Sequence, residues 1–233
     1  MLFRCTSVAS GNTFEIKKLI VDGLTDRGEM AKEITIEDDG LLIYQLECYG
    51  ADHLTKSFKV NNVEIEPIST YTNNNWLNNL YYKAVVKNDI VKINNTLTRF
   101  DYGNVVASIY LIVNKKGITR YSASNKLITN NVNLKQPTII TNSIIFNDGD
   151  SKTYTATEDS FIVVMSSGRH RNTLGAHAKI NNMDLERIYY TETASDKVSY
   201  LFFTPIAKDE TIEMTFSISN NRGNANCFVI AKM

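Results

Sequence analysis

The sequence predicts an all-β protein: two tandem jelly-roll-like antiparallel β-sandwiches arising from internal duplication. Three observations carry this prediction. FKVNNVEIEPI (Phe58–Ile68) and AKINNMDLERI (Ala178–Ile188) repeat one pattern 120 residues apart, each with a central Asn-Asn. In both, apolar and polar residues alternate with period 2 on either side of the pair, the pattern of half-buried strands, and no stretch sustains a helical period. The chain also holds about 26 asparagines, residues whose side chains support turns and tolerate the left-handed conformation.

The repeat extends well beyond the hairpin. Thr35–Ile68 aligns without a gap on Thr155–Ile188, with eight identities in thirty-four positions; chance gives roughly two. The same offset lays LYYKAVVKND (Leu80–Asp89) over YLFFTPIAKD (Tyr200–Asp209). The copies span about 13–114 and 139–233, so the domains read 1–114, a connector 115–138, and 139–233.

In the first copy, strands are expected at Phe14–Ile20, Lys32–Glu37, Leu41–Glu47, both arms of Phe58–Ile68, Leu80–Val86, Ile90–Leu97 and Val105–Val113. Asn61-Asn62 sits where a two-residue hairpin turn needs positive φ twice. A one-residue slip there would turn Val60, Val63 and Ile65 outward. The connector is polar, carries Gly117 and Pro137, and holds a strand candidate at Lys126–Thr129. The second copy offers Ser143–Asn147, Lys152–Thr157, Phe161–Ser166, the repeated hairpin, Val198–Thr204, Thr211–Ser219 and Ala225–Ala231. About eight short strands per copy is the count of a jelly roll.

Composition narrows the function classes. Lys plus Arg number 25 and Asp plus Glu number 25, so binding nucleic acid through bulk charge is not expected. Three cysteines, Cys5, Cys48 and Cys227, make no disulfide framework, and the last two fall in strand-like runs as buried thiols. MLFRCTSVASGNTF lacks the apolar core of a signal peptide, and no run reaches a membrane span, so synthesis in a cytoplasm without membrane insertion is expected.

No catalytic set is legible. The histidines are His53, His170 and His177, without HExxH or a paired CxxC, and neither GxSxG nor GxxxxGK occurs. The expectation is no enzyme, no catalytic residue, no metal ligand and no cofactor. Asp38-Asp39 and Glu158-Asp159 precede equivalent strands. Neighbours on a strand point to opposite faces, so these acids read as turn residues rather than a glycosidase pair. Asp148-Gly-Asp150 reads as an ordinary turn. Two loops stand out as contact surfaces. YTNNNW brings Tyr71, Asn75 and Trp76, the only tryptophan, to a stretch between strands; such residues stack on sugars or anchor interfaces. Arg169-His170-Arg171 is the densest basic cluster and suits an inter-subunit or acidic contact.

Strands of the type apolar-KVNN-apolar followed by YLFFTPIAKDETIEM resemble the small β-sandwich modules of bacteriophage virion proteins: tail-fibre tips, head fibres, collars and decoration proteins. The motif is Phe203-Thr204-Pro205-Ile206-Ala207-Lys208-Asp209, with a fainter counterpart at Ala84–Asp89. The Gly that usually precedes Asp is Lys208 here and Asn88 in the first copy. The resemblance implies a non-enzymatic structural component of a tailed-phage virion, in the tail, neck or head surface. Its partners would be other virion proteins and copies of itself, as a trimer or ring, with a host-surface glycan as a further ligand. The alternative is a glycan- or receptor-binding adhesin.

Overall fold

The computed structural model describes residues 3–6, 13–25, 27–73, 76–98, 104–114, 120–121, 127–128, 138–146, 151–168, 174–184, 188–192, 197–218 and 223–231. Among these the regular structure is strand, apart from a 3-10 turn at Ala51–His53. By compactness one unit is built on Glu15–Asn114 and the other on Lys115–Met233, with Phe3–Phe14 grouped with the second.

The strands to Asn114 are β1 (Phe3–Thr6), β2 (Thr13–Thr25), β3 (Gly28–Thr35), β4 (Gly40–Tyr49), β5 (Leu54–Val60), β6 (Val63–Glu64), β7 (Ser69–Asn73), β8 (Trp76–Val85), β9 (Ile90–Leu97) and β10 (Asn104–Asn114). In the first unit, neighbours run β2-β10-β4-β8-β7 in one sheet and β3-β9-β5-β6 in the other. This is jelly-roll order, with β7 added at an edge. The two sheets close on one core. Leu42, Tyr44 and Leu46 of β4, Tyr81 of β8 and Ile109 of β10 meet Met30, Phe58, Val91 and Ile93 of the smaller sheet. Each such aliphatic side chain contributes about 1.5–3 kcal/mol when fully buried.

The larger sheet is also buried on its other face. By strand alternation Leu41 and Ile43, and across the ladder Val106, Tyr110 and Ile112, point away from this core, yet all are buried. Burial on both faces is why VVASIYLIV is nearly continuous in apolar residues instead of alternating.

The second unit follows with β11 (Arg120–Tyr121), β12 (Leu127–Ile128), β13 (Thr138–Phe146), β14 (Ser151–Thr155), β15 (Ser160–Gly168), β16 (Leu174–Ile180), β17 (Met183–Asp184), β18 (Ile188–Glu192), β19 (Lys197–Ile206), β20 (Thr211–Ile218) and β21 (Gly223–Ala231). β11 and β12 pair with each other. The sheets run β13-β21-β15-β19-β18 and β14-β20-β16-β17. Strand for strand this is the order of the first unit.

The Asn-Asn turns have the geometry the two-residue spacing demands. Asn61 and Asn62 have φ 51° and 63°, Asn181 and Asn182 46° and 67°. The second arm of the first hairpin, expected to run to Ile68, stops at Glu64. Its carboxylate accepts the Phe58 N–H at 3.0 Å in place of the next ladder carbonyl. Pro67 then brings no N–H to the ladder.

The same asparagines tie each hairpin to a second turn. Asn61 Oδ1 accepts the Ile90 N–H at 2.9 Å and its Nδ2 donates to Asp89 at 2.7 Å. Asn181 Oδ1 accepts the Thr211 N–H at 3.3 Å. Asp39 accepts the Lys87 N–H at 2.9 Å, and Asp159 the Lys208 N–H at 3.0 Å. These acids therefore serve as turn acceptors.

The corner also corrects the gap-free alignment beyond the hairpin. The N–H of Asn88 donates to Ile36, and that of Asp209 to Ala156, both at 2.8 Å. The positive-φ residues there are Asn88 at 74° and Asp209 at 67°. The equivalent residues are thus 121 apart (209 − 88), not 120. A one-residue shift is invisible to sequence because LYYKAVV and YLFFTPI are apolar in either register.

Candidate functional site

Of the two expected contact loops, the first is a hairpin. Tyr71 lies in β7, half-buried, opposite Asn78. Trp76 is not between strands: it opens β8, paired with Asn73 on one side and Tyr49 of β4 on the other. The polar run YTNNNW reads as a loop because its turn-formers are concentrated at its middle, while the ladders on both sides hold its ends extended. Asn75 lies outside the described residues, as do Arg169, His170 and Arg171, which follow the end of β15 at Gly168. Asp148-Gly-Asp150 is also outside them.

The described residues form a second surface that motif reading missed. The solvent-facing side of β3-β9-β5 holds an open cleft of about 480 Å³. Lys32, Glu33, Ser57, Lys59, Lys92 and Asn94 line it. Three ion pairs set its electrostatics: Lys32–Asp22 at 3.0 Å, Lys92–Glu33 at 3.1 Å and Lys59–Glu64 at 3.7 Å. Ser57 donates to Glu64 at 3.0 Å and Asn94 to Glu29 at 3.1 Å. Each of the three ammonium groups has a carboxylate partner, and Glu29 adds a fourth acid, so the cleft offers hydrogen bonds in both directions rather than a basic field. Exposed pairs of this kind each contribute about 0–1 kcal/mol. The signal was present as alternation, since Lys59, Lys92 and Glu33 occupy outward positions of their strands. Nothing in the sequence, however, says which strands adjoin.

Lys59 and Lys92 stand directly opposite each other across β5 and β9. In the second unit Lys179 stands opposite Glu213, and its other neighbour Asp184 lies 3.8 Å away. One row of the same sheet position therefore carries two facing lysines in one unit and a lysine between two acids in the other.

Reactive groups are held inert. The Cys48 thiol is buried and pushed up to about 12, first by desolvation and then by the charge of Glu47; a protonated thiol is a weak nucleophile. Burial likewise pushes Tyr82 up to about 12 and raises Tyr44 and Tyr81. Among the described residues no group of three His, Cys, Asp or Glu is placed to hold a metal ion. No helix among them is long and apolar enough to cross a membrane.

No family model and no curated protein matches the chain. Among solved structures it is similar to the plant receptor-like kinase ANX1, with 9% identity, 94% of this chain and 84% of that one covered, and a TM-score of 0.26. It is also similar to the ANX2 ectodomain from Arabidopsis thaliana, with 10% identity, 100% and 89% covered, and a TM-score of 0.25. Likenesses this slight carry no argument about fold or function.

Proposed function

We propose that the chain is a structural component of a tailed-bacteriophage virion, acting through protein–protein contacts as a homo-oligomer and not as an enzyme. One observation carries the reading. The chain contains two units of the same strand order and the same hydrogen-bonded corner, but with different side chains on equivalent faces. Internal duplication followed by divergence of the faces accounts for this. Such a chain offers two similar, non-identical surfaces for building a closed ring. The resemblance of Phe203–Asp209 to virion modules supports the same reading. Light scattering of the purified chain tests it. The expected mass is a closed multiple of 26.3 kDa, three or six copies for instance. A monodisperse monomer across the whole concentration range counts against it.

A glycan- or receptor-binding role is the second reading. It is favoured by the hairpin that places Tyr71 and Trp76 at one end of adjacent strands. Glycan binding that disappears in Trp76→Ala, with the fold intact, would replace the first reading with this one. No binding across a glycan array would remove it, and binding unaffected by that change and by Arg169→Ala/Arg171→Ala would move the contact to other residues.

A further inference from the structure

We propose that the core of the first unit holds an ordered internal water molecule between Tyr44, Tyr81, Asn79 and Asn95. Tyr44 and Tyr81 are direct cross-strand partners in β4 and β8. Their rings stack at 4.9 Å with 12° between planes, so the two hydroxyls leave the sheet side by side. Phe58 closes against both rings, at 5.0 and 5.1 Å. Asn95 Nδ2 donates to the Tyr44 hydroxyl at 2.9 Å, and Asn79 Nδ2 to the Tyr81 hydroxyl at 3.1 Å.

That leaves six valences open among the described residues: two amide oxygens, two hydroxyl protons and the second N–H of each amide. Asn79 Oδ1 and Asn95 Oδ1 are buried and accept from nothing among the described residues. Each hydroxyl already accepts, and among the described residues its own proton reaches no acceptor. Both asparagines are fully buried, so bulk solvent does not supply the missing partners. Turning an amide over does not remove the deficit: the oxygen would then take the tyrosine proton, and two amide N–H groups would be left instead. One water completes four of the six, since it donates to both amide oxygens and accepts from both hydroxyls; each amide keeps one N–H over. Ions do not fit. An anion would face two amide oxygens, and a cation two hydroxyl protons.

The second unit is the internal control. By register, Val164 and Phe202 replace Tyr44 and Tyr81, and Tyr200 and Phe216 stand at the places of Asn79 and Asn95. Val164 and Phe202 are buried and bring no polar atom.

A high-resolution crystal structure of the full chain tests the proposal. The expected result is a water at hydrogen-bonding distance, about 2.7–3.2 Å, from Asn79 Oδ1 and Asn95 Oδ1. In Asn95→Leu that density should vanish and Tm should fall. A dry site in the wild-type map overturns the proposal. So does a higher Tm in Asn95→Leu, because that is what removing an unsatisfied amide produces. If Asn95→Leu does not fold, the wild-type map decides alone.

Discussion

Two cores built on the same strand order differ at one cluster of equivalent positions. Where the first unit stacks Tyr44 on Tyr81 and hydrogen-bonds both to asparagines, the second has Val164 and Phe202. What stays constant is the corner. An Asn with positive φ holds the next strand, and an Asp holds the turn that ends β8 or β19. The contrast separates two kinds of specification. Core positions accept any set of side chains that fills the volume and satisfies its own polar atoms. The corner must satisfy particular backbone N–H groups at fixed places, which only a short side-chain acceptor can do.

Alkali should separate the units most. Tyr44, Tyr81, Tyr82 and Cys48 all have folded pKa values above their unfolded ones. The stability they contribute is complete below the unfolded values, near 9 for the thiol and 10 for tyrosine. It is lost as pH climbs toward about 12, the folded value of Cys48 and Tyr82, because the unfolded chain releases protons that the folded unit retains. Val164, Phe202, Phe203 and Gly168 stand at the equivalent positions and do not titrate. Above pH 10, Trp76 fluorescence, a reporter confined to the first unit, should be lost before the circular-dichroism signal of the whole chain. Simultaneous loss would break the comparison.

Tyr44→Ala should cost about 3–5 kcal/mol, as truncations of large buried aromatics do. Val164→Ala should cost roughly half that, because fewer atoms leave. Denaturant melts that give equal losses would show that the polar network adds nothing. Gly40→Ala comes next. A Cβ on Gly40 would lie 2.5 Å from the Ile112 carbonyl oxygen, so the backbone must shift, at about 1–3 kcal/mol. Its counterpart Ser160 already carries a Cβ, and Ser160→Ala should lose only its bond to Glu158, about 1 kcal/mol.

The corner predicts a smaller, graded pair. Asn61→Ala removes two hydrogen bonds and should cost about 2 kcal/mol; Asn181→Ala removes one at 3.3 Å and should cost about 1 kcal/mol. Equal costs would mean that the positive φ, not the side-chain bond, dominates. Smallest of all, Lys92→Glu together with Glu33→Thr gives the first unit the charge row of the second, where Thr153 faces Glu213, and an exposed exchange of this kind should change stability by less than about 1 kcal/mol.

Much of the fold was legible, for physical reasons. Alternation exposed the strands, and Asn61-Asn62 and Asn181-Asn182 exposed the hairpins, because two-residue turns restrict which residues they accept. Three things were not legible. Trp76 sat in a run rich in turn residues, and the ladders that hold it extended are long-range. The 121-residue equivalence after the hairpin was hidden by apolar neighbours that match in either register. The buried asparagines looked like surface polar residues, since only the closing of one sheet on the other shows that Asn79 and Asn95 reach a pair of tyrosines. The candidate site was legible only in part. Tyr71 and Trp76 are placed on adjacent strands, while the lysine cleft depends on strand order, which no local pattern encodes.

β4 is paired along its length by β10 on one edge and β8 on the other, and both of its faces are buried. No partial opening frees its amides without dismantling the sheet. Its backbone protons should therefore trade with deuterium only when the whole first unit comes apart, so their exchange rate reads that unit's global stability directly. The edge strand β7, paired only with β8 among the described residues, should exchange through fraying and report nothing beyond its own end. Deuterium uptake at Leu42–Leu46 would thus serve as an internal clock for the unit.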